Sequence, residues 1–528
     1  MAVTVVSLGM GMRSAGVVGL GTMGAGIAEV LARAGLTVTV VEADPDALSR
    51  GIAILDGSLR KAVSRGRLAE DEHKEIAGRV HPAPTMASMA HADLVIEVVP
   101  EQLPVKRQVI AELDQVLRPE AIIATNTSSL SVTSIAADSA HPGRVVGMHF
   151  FNPAPVMRLV EVVTTVLTDP GAARAVTALA GRIGKTPVQV TDRAGFVANA
   201  LLLPYLNHAA WLLGTGYATR EDIDLAVTIG IGLPMGPLAL LDLIGLDTSL
   251  AILEALEREF GGTRYTPAPL LRRFADAGRT GRKSGRGFYA YGQQETRGAA
   301  GSPDQSRPDL AAVSPPGTVT VIGPGAVAGT AGRAAEPHSD RAAELGSLFE
   351  AAGISVTSNP AHPTDLVIVA IGPEGGVLGP ASAAGRAADA VGLHLPYQNL
   401  AEIVPSQLTS AGALAAAVAL ATRLGLTAVR SADRPGLLAG ALLFAHLRDA
   451  VAMVADGYAT PADVDTAMTL GCGYPRGPMR LLAEAGAGKA VDVLSAMHAG
   501  YGDPAFAPPP LLREYALGGL PAQVSGAS

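Results

Sequence analysis

Two stretches of this 528-residue chain, 241 positions apart, repeat one another closely, and this repeat limits the folds the chain can adopt. The segment 216–241 reads GYATREDIDLAVTIGIGLPMGPLALL, and the segment 457–482 reads GYATPADVDTAMTLGCGYPRGPMRLL, with 15 of 26 positions identical. The strand-like run DLVIV at 365–369 also repeats DLVIE at 93–97. Such a repeat predicts one structural unit that is present twice.

The first part of the chain has the pattern of an α/β fold. Short runs rich in Val and Ile, such as Thr37–Val41, Asp93–Val99 and Ala121–Thr125, alternate with amphipathic helical patterns up to residue 192. That alternation predicts a parallel sheet with helices between the strands. From residue 193 the strand patterns stop, and stretches rich in Ala and Leu predict an all-α domain.

Composition excludes several classes of function. Hydrophobic residues make up 48% of the chain, enough for several cores, and the net charge of −8 argues against a nucleic-acid partner. The single cysteine, Cys472, allows no disulfide framework and no thiolate metal cage, so no metal is expected. No uninterrupted apolar run approaches the ~20 residues of a membrane span. The apolar segment 1–12 lacks the basic residues of a signal peptide, so we expect a cytoplasmic protein with no membrane partner.

A glycine-rich turn follows the first predicted strand. The sequence VVGLGTMG places Gly19, Gly21 and Gly24 in the spacing that cradles a dinucleotide pyrophosphate at a helix N-terminus. The next strand, Val38–Val41, ends on Glu42, where a carboxylate can bind both ribose hydroxyls. Glu42 would repel a 2′-phosphate, so the pattern predicts a Rossmann-like domain that prefers NAD to NADP. A solvated surface Glu in an unrelated loop is the alternative.

These patterns together predict the domain organisation. The fold class is an α/β Rossmann-like NAD-binding domain plus an all-α domain, and this unit is duplicated in degenerate form. The segment 293–316 is rich in Gly, Pro and Ser, which is typical of a linker. The predicted parts are a Rossmann-like domain at 13–192, a helical domain at 193–292, a linker at 293–316, a degenerate Rossmann-like domain at 317–430 and a second helical domain at 431–525.

Three segments carry candidate catalytic residues: NTSSL at 126–130, HFFNPAP at 149–155 and LVEVV at 159–163. Oxidation of an alcohol needs a base for the hydroxyl proton, and His is the usual base near neutral pH. Alone, His149 could be a buried structural histidine. Glu161, however, lies in an apolar strand and needs a partner, which a base with an orienting carboxylate would supply.

These motifs, above all the run HFFNPAPVMRLVEVV at 149–163, closely resemble the 3-hydroxyacyl-CoA dehydrogenase family over residues 13–292. The resemblance implies NAD-dependent oxidation of an (S)-3-hydroxyacyl-CoA to a 3-oxoacyl-CoA by hydride transfer. It implies that His149 is the general base and that Glu161 orients it. It also implies that Ser128 and Asn199 bind the reacting oxygen. The Arg that usually follows this Asn is Ala200 here, which puts a local salt bridge in question rather than the chemistry.

The same resemblance implies binding residues. The implied cofactor contacts are Gly19, Gly21, Gly24, Glu42, Glu101, Lys106, Ser128, Asn152 and Lys283. The implied acyl-CoA contacts are Ser58, Ser128, Asn199 and Arg65. The family usually has Lys where this chain has Arg65, which keeps a positive charge for a CoA phosphate. From the residues alone, Lys106 and Lys283 could each be a solvated surface lysine.

The second copy lacks parts of this constellation. His394 and Glu402 remain, but they are 8 residues apart rather than 12, and Gly440 replaces the Asn. The segment 323–328, GPGAVA, lacks the third glycine, and no counterpart of NTSS is recognisable. We therefore interpret this copy as a decayed nucleotide domain and His394 as structural.

One complete unit followed by a degenerate one resembles the bacterial subgroup associated with phenylacetate catabolism, within a family that acts in fatty acid β-oxidation. That resemblance implies 3-hydroxybutyryl-CoA or 3-hydroxyadipyl-CoA as the substrate. Single-unit relatives are implied to dimerise through the helical domain, so two such domains on one chain predict an intrachain pseudo-dimer, with further homo-oligomers possible. The alternative is a second half that is an independent passenger.

Two other classes of protein remain as alternatives. The β-hydroxyacid dehydrogenases also carry a GLGTMG-like turn, but they use a catalytic Lys in the helical domain and lack the His–Glu pair. A non-catalytic NAD-binding or structural protein would not need Ser128, His149, Glu161 and Asn199 together.

Overall fold

The computed structural model describes residues 11–292, 315–323 and 338–520, apart from 360, 363 and 365. The chain forms two compact units. The first comprises residues 1–202 with 456–477, and the second comprises 203–455 with 478–528. Most of the predicted linker and of the second glycine-rich segment lies outside the described residues. The predicted five-part domain division stays a prediction.

Strands and helices alternate up to residue 214, as the sequence predicts. They are β1 Ser14–Val18, α1 Thr22–Arg33, β2 Thr37–Val41, α2 Pro45–Ser64, α3 Glu70–Gly78, β3 Val80–Pro82, β4 Leu94–Glu97, α4 Leu103–Val116, β5 Ile122–Thr125, α5 Val132–Ala136, β6 Val145–Phe150, β7 Leu159–Thr164, α6 Pro170–Arg182, β8 Thr186–Thr191 and α7 Ala198–Gly214.

The eight strands form one sheet in the order β3-β2-β1-β4-β5-β6-β7-β8. Successive strand residues alternate between two hydrophobic clusters, so both faces of the sheet are covered: Val17 and Ile96 belong to one cluster, Val18 and Val95 to the other. The predicted parallel arrangement holds for every pairing except β6 with β7, which are antiparallel. Only residues 151–158 join these two strands, too few for the crossover that parallel strands need.

The rest of the described chain contains a helical stretch, a second sheet and a second helical stretch. The elements are α8 Arg220–Leu225, which continues as a π-helix over Ala226–Ile231, α9 Pro237–Ile244, α10 Leu246–Phe260, α11 Pro269–Asp276, β9 Thr318–Ile322, α12 His338–Ala351, β10 Ser355–Thr357, β11 Val367–Ala370, α13 Leu378–Ala383, β12 Ala390–Tyr397, β13 Leu400–Pro405, α14 Ala411–Arg423, β14 Thr427–Arg430, α15 Leu437–Ala455, α16 Pro461–Cys472, α17 Pro478–Ala485, α18 Ala487–Tyr501 and α19 Pro510–Gly518.

The second sheet resembles the first but is smaller. Its six strands have the order β10-β9-β11-β12-β13-β14, and β12 and β13 are antiparallel, as β6 and β7 are. In the second sheet, the single strand β11 lies between β9 and β12. In the first sheet, two strands, β4 and β5, lie between β1 and β6. The glycine-rich segment that follows β9 cannot be compared, because only its first residue is described.

Within the part of the chain that the structure describes, one helix, α15, is long and apolar enough to cross a membrane by length and composition, with a mean hydropathy of 1.6. His446, Arg448 and Asp449 interrupt its sequence, and 83% of its most apolar window is buried within the protein. It packs against α17, α18 and α19 of the second unit. These contacts are typical of a core helix.

The first unit includes a segment from far along the chain. Residues 456–477, with α16, pack on β7 and β8. The hydroxyl of Tyr458 donates to the backbone oxygen of Thr191 at 2.8 Å, and the Arg193 guanidinium lies 4.8 Å from the centre of the Tyr458 ring. This segment therefore covers the edge of the sheet at which the catalytic candidates lie.

The second unit contains an equivalent contact, in which Tyr217 stands for Tyr458 and Arg434 stands for Arg193, each 241 positions away along the chain. The hydroxyl of Tyr217 donates to the backbone oxygen of Arg434 at 3.3 Å, and the Arg434 guanidinium lies 5.6 Å from the Tyr217 ring. The helical stretch 220–231 packs on β12, β13 and β14. In each unit, one of the helices that pack on the sheet comes from the distant repeat.

Two glycines of α2 test how closely this helix packs on the glycine-rich turn. A Cβ atom on Gly51 would overlap the backbone oxygen of Leu20, whereas one on Gly57 meets nothing within 4 Å. We expect Gly51→Ala to lower the free energy of unfolding by about 1–3 kcal/mol, because backbone must move. Gly57→Ala should raise it by up to about 1 kcal/mol, because Ala favours the helix. Urea unfolding of both variants checks this, and equal midpoints would contradict the packing.

Candidate active site

The turn between β1 and α1 has the shape that a dinucleotide phosphate requires. Gly19 has a φ of +93°, and a Cβ atom on Gly24 would overlap the backbone oxygen of Gly19, so only glycine fits either position. A Cβ atom on Gly21 meets nothing within 4 Å, which leaves space beside the backbone. The first turn of α1 contains no acidic residue and no capping side chain in the described structure. Its N–H groups can therefore bind an anion.

Glu42 lies beside this turn. One of its carboxylate oxygens accepts a hydrogen bond from the backbone N–H of Leu20 at 2.8 Å, and the other accepts from Ala43 at 2.9 Å. The carboxylate is thus held next to the glycines, where a ribose would follow the pyrophosphate. These residues fit a bound NAD, and the contact with its ribose stays a prediction.

Lys106 is not a solvated surface lysine, so that alternative is wrong. Its side chain is 1% exposed, and its Nζ lies 3.0 Å from both carboxylate oxygens of Glu97 and 3.3 Å from Glu101. Packing of α4 on β4 buries the ammonium, which needs these partners because a buried unpaired charge is costly. A direct contact between Lys106 and the cofactor stays a prediction.

Glu101 organises the segment NTSS that follows β5. One oxygen accepts from the Thr127 hydroxyl at 2.6 Å, from the N–H of Ser128 at 2.9 Å, and from the N–H and hydroxyl of Ser129 at 3.0 Å. Burial alone would raise the pKa of Glu101, but the Lys106 ammonium and these donors outweigh it and hold the pKa below its usual range. The sequence gives no sign of this positioning role.

The candidate base and its carboxylate lie opposite one another on the antiparallel strands β6 and β7. His149 Nδ1 is 2.7 Å from Glu161 Oε2, and both side chains are buried. The other oxygen of Glu161 accepts from the N–H groups of Val197 at 2.9 Å and Ala198 at 3.0 Å, at the start of α7. The carboxylate is therefore fully hydrogen-bonded and held at a helix N-terminus, where negative charge is stabilised.

Two aromatic rings flank the imidazole. The ring centroid of Phe151 lies 4.5 Å from that of His149, and the ring centroid of Phe196 lies 5.5 Å away. Phe196 has a φ of +49° in the turn that leads into α7, next to Gly195. Because Nδ1 faces the carboxylate, Nδ1 carries the proton and Nε2 is the nitrogen left to accept one.

The two residues expected to bind the reacting oxygen lie together in the first unit. Asn199, in the first turn of α7, has its Nδ2 3.5 Å from the backbone oxygen of Ser128. Asn126 Oδ1 accepts from the N–H of Phe150 at 2.8 Å and so ties the NTSS segment to β6. Ala200 is buried, so the position that usually holds Arg carries no charge.

Four further predicted binding residues lie outside this group of contacts. Asn152 is exposed in the turn after β6, Ser58 is half-buried on α2, and Arg65 is exposed at the C-terminal end of α2. Ser58 and Arg65 are seven residues apart and so share a face of the helix. Lys283 belongs to the second unit, is about half exposed at 51%, and lies 2.6 Å from Asp247. Their ligand contacts stay predictions.

The second unit keeps the geometry of the His–Glu pair. His394 Nδ1 lies 2.9 Å from Glu402 Oε2, the two residues are opposite one another on β12 and β13, and Glu402 also accepts from Ala439 N–H at the start of α15. Leu437 has the same φ of +49° as Phe196. The separation of 8 rather than 12 residues reflects a shorter turn between the strands. The register of β12 and β13 still places His394 opposite Glu402, and this register cannot be read from the spacing of the two residues along the chain.

The surroundings of His394 nevertheless differ from those of His149. It borders a cavity of about 20 Å³, room for about one water molecule, whose lining includes Tyr397, Gly440 and Phe444. The first copy has the side-chain amide of Asn199 where the second copy has Gly440, which has no side chain. The turn after β11 reads IGPE, whereas the turn after β5 reads NTSS.

Comparison with known proteins identifies related families. The family model described as the NAD binding domain of 3-hydroxyacyl-CoA dehydrogenase matches residues 14–193. The model of the C-terminal domain of the same dehydrogenase matches twice, at residues 195–291 and 436–527.

Individual relatives agree with the family models. The chain is 33% identical to the 3-hydroxyadipyl-CoA dehydrogenase of Escherichia coli K12 over 509 residues, 96% of this chain and 98% of that protein. It is 47% identical to the 3-hydroxybutyryl-CoA dehydrogenase of Mycobacterium tuberculosis H37Rv over 278 residues, 52% of this chain and 97% of that protein. The crystal structure of a 3-hydroxybutyryl-CoA dehydrogenase from Escherichia coli K12 matches 98% of this chain and all of that one, with a TM-score of 0.76 and 31% identity.

The lowered pKa of Glu101 predicts that the stability of the protein depends on pH, and the hydroxyl of Ser129 contributes to this lowering. A carboxyl whose pKa is lowered on folding stabilises the protein above its ordinary titration range and loses that contribution as pH falls through the lowered value. Ser129→Ala removes one donor and raises the pKa of Glu101 toward its ordinary value, so the loss of thermal stability as pH falls from about 5 to about 3 should shrink. Ser134→Ala, on α5, is the control. An unchanged pH dependence in Ser129→Ala would contradict the role of this network.

Proposed function

Because this chain belongs to the 3-hydroxyacyl-CoA dehydrogenase family, we propose that it oxidises the 3-hydroxyl of an (S)-3-hydroxyacyl-CoA to a 3-oxo group with NAD as cofactor. The observation that carries the proposal is the buried His149, whose Nδ1 lies 2.7 Å from Glu161 Oε2. The same unit brings Asn199 Nδ2 within 3.5 Å of the backbone oxygen of Ser128. That arrangement supplies a base and polar groups for one oxygen atom. A β-hydroxyacid dehydrogenase does not need the His–Glu pair.

When bound, NAD would accept the hydride from C3 of the substrate. His149 Nε2 takes the proton of the 3-hydroxyl as the carbonyl forms. Glu161 keeps the other ring nitrogen protonated and stabilises the imidazolium that results. Ser128 and Asn199 bind the reacting oxygen and so stabilise the charge that develops there. Burial of the pair strengthens each of these interactions by excluding water.

The proposed cofactor site is built around the turn before α1. Gly19, Gly21 and Gly24 let the pyrophosphate approach the helix N-terminus, and Glu42 binds the ribose and disfavours a 2′-phosphate. Glu101, Lys106, Ser128, Asn152 and Lys283 are proposed as further contacts with the cofactor. Ser58 and Arg65 are proposed to bind the acyl-CoA, with Arg65 facing a phosphate.

We also infer that the chain contains its structural unit twice, the second time in degenerate form. Support comes from the shared antiparallel strand pair, the His–Glu pairs, and the two matches to the C-terminal domain. The exchange of covering helices supports an intrachain pseudo-dimer rather than an independent passenger. A passenger would keep each covering helix with its own sheet.

The names of the relatives suggest two substrates, 3-hydroxybutyryl-CoA and 3-hydroxyadipyl-CoA. Full-length matches carry both names, so both acyl-CoAs are proposed as substrates. The resemblance to the bacterial subgroup with one complete and one degenerate unit is the ground for a proposed place in phenylacetate catabolism. The proposed compartment is the cytoplasm, where a chain with one cysteine needs no disulfide.

The two histidines give a direct test of this function. We expect His149→Ala to lower kcat by on the order of 10³-fold, because removal of a general base usually costs about 10²–10⁴. The Kd for NAD should change little, and His394→Ala should keep kcat near that of the unsubstituted protein. NADH formation with 3-hydroxybutyryl-CoA and 3-hydroxyadipyl-CoA measures both. Equal losses in the two variants would show that the roles of the two copies are assigned wrongly.

A further inference from the structure

The last turn of α16 packs directly on the strands that carry the catalytic pair. A Cβ atom on Gly471 would lie 2.6 Å from Leu159 Cδ2 and 3.2 and 3.3 Å from two ring carbons of Phe151. The first of these distances is too short for real atoms, so the backbone of α16 touches both side chains. Gly471 therefore leaves no room for a larger residue unless Phe151 or Leu159 moves.

Phe151 transmits this contact to the base. Its ring stands between the α16 backbone and the His149 imidazole, with a centroid distance of 4.5 Å and an angle of 55° between the ring planes. Leu159, the other neighbour of Gly471, is fully buried at the start of β7 and cannot yield easily. A side chain at position 471 would push the ring of Phe151 toward the imidazole or separate α16 from β7.

The residue after Gly471 also lies near the pair. Burial raises the pKa of the Cys472 thiol, and the charge of Glu161 raises it further. The thiol stays neutral and adds no competing charge.

The second unit contains the same contact around its own His–Glu pair. A Cβ atom on Gly230, which is 241 positions before Gly471, would lie 2.8 Å from Leu400 Cδ2 and 3.0 Å from the Tyr397 ring. Leu400 is 241 positions after Leu159. Position 230 therefore offers the same local packing without the active site that we assign to the first unit.

We propose that Gly471 is a positioning residue of the active site, and that the distant repeat completes this site by holding Phe151 against His149. The inference rests on the proposed function, because it takes His149 as the base. The α16 backbone forms a wall behind the aromatic ring, which limits how far the imidazole can tilt and how much water reaches it. The second repeat thus contributes to catalysis through packing, without supplying a reacting group.

The test compares substitutions at the two matched glycines in the full-length chain. Gly471→Ala and Gly471→Val should lower kcat, the Val variant by about tenfold to 10²-fold, because a misplacement of about 1 Å at the base has effects of that size. Ala favours a helix, so a loss in Gly471→Ala does not reflect helix propensity. KM for NAD should change less than twofold, and the acid side of the pH profile of kcat/KM should move. Gly230→Ala and Gly230→Val should lower thermal stability comparably but leave kcat and the pH profile unchanged.

A double-mutant cycle separates positioning from general destabilisation. Phe151→Leu makes room beside position 471, so Gly471→Val should cost much less kcat in the Phe151→Leu background than in the unsubstituted chain. If Gly471→Val does not fold, the cycle with Gly471→Ala decides the question.

Three outcomes would contradict either the role of Gly471 or the proposed function, and each outcome shows which of the two is wrong. Equal effects of the position 471 and position 230 substitutions on kcat would overturn the inference and leave the proposed function intact. Additive effects of Gly471→Val and Phe151→Leu would overturn it in the same way. An unsubstituted chain that forms no NADH with any 3-hydroxyacyl-CoA would overturn the proposed function, and the inference with it.

Discussion

The carboxylate of Glu161 joins the strand that carries the base to the helix that carries Asn199. One oxygen binds His149, and the other binds the N–H groups of Val197 and Ala198 at the start of α7. A buried carboxylate is tolerated only when its hydrogen bonds are made, so this charge holds β6, β7 and α7 in one arrangement. Asn199 is the residue after Ala198, and the same bonds therefore place it near Ser128. One side chain therefore holds both His149, our proposed base, and Asn199, which we propose binds the reacting oxygen.

The motifs near the base could be predicted from the sequence because each is short and local. The glycine-rich turn, Glu42 and the pairing of His149 with Glu161 all follow from contiguous runs. Lys106 could not be judged in this way, since its burial depends on how α4 packs against β4. Nor does a run of Val and Ile reveal strand direction, which is why the antiparallel β7 was not expected, although the short connection from β6 could have indicated it.

The second repeat shows a different limit of sequence reasoning. His394 and Glu402 are 8 residues apart rather than 12, and strand register still brings the two side chains within 2.9 Å of one another. The environment of the imidazole differs in this copy, because Gly440 and the IGPE turn stand where the first copy has the groups that we propose bind oxygen. We therefore propose that the His394–Glu402 pair alone does not form an active site. We propose that the second copy persists because each unit contains a helix from the distant repeat.

The most direct measurement of the account's central claim is kcat of Glu161→Gln, with Glu402→Gln as its matched control. Gln keeps the size of the side chain and can still accept from the N–H groups of α7, but it no longer stabilises an imidazolium. We expect Glu161→Gln to lower kcat on the order of 10²–10⁴-fold with little change in the Kd for NAD, and Glu402→Gln to stay within about threefold of the unsubstituted chain. A kcat for Glu161→Gln within about threefold of the unsubstituted value would contradict the claim that this carboxylate orients the base.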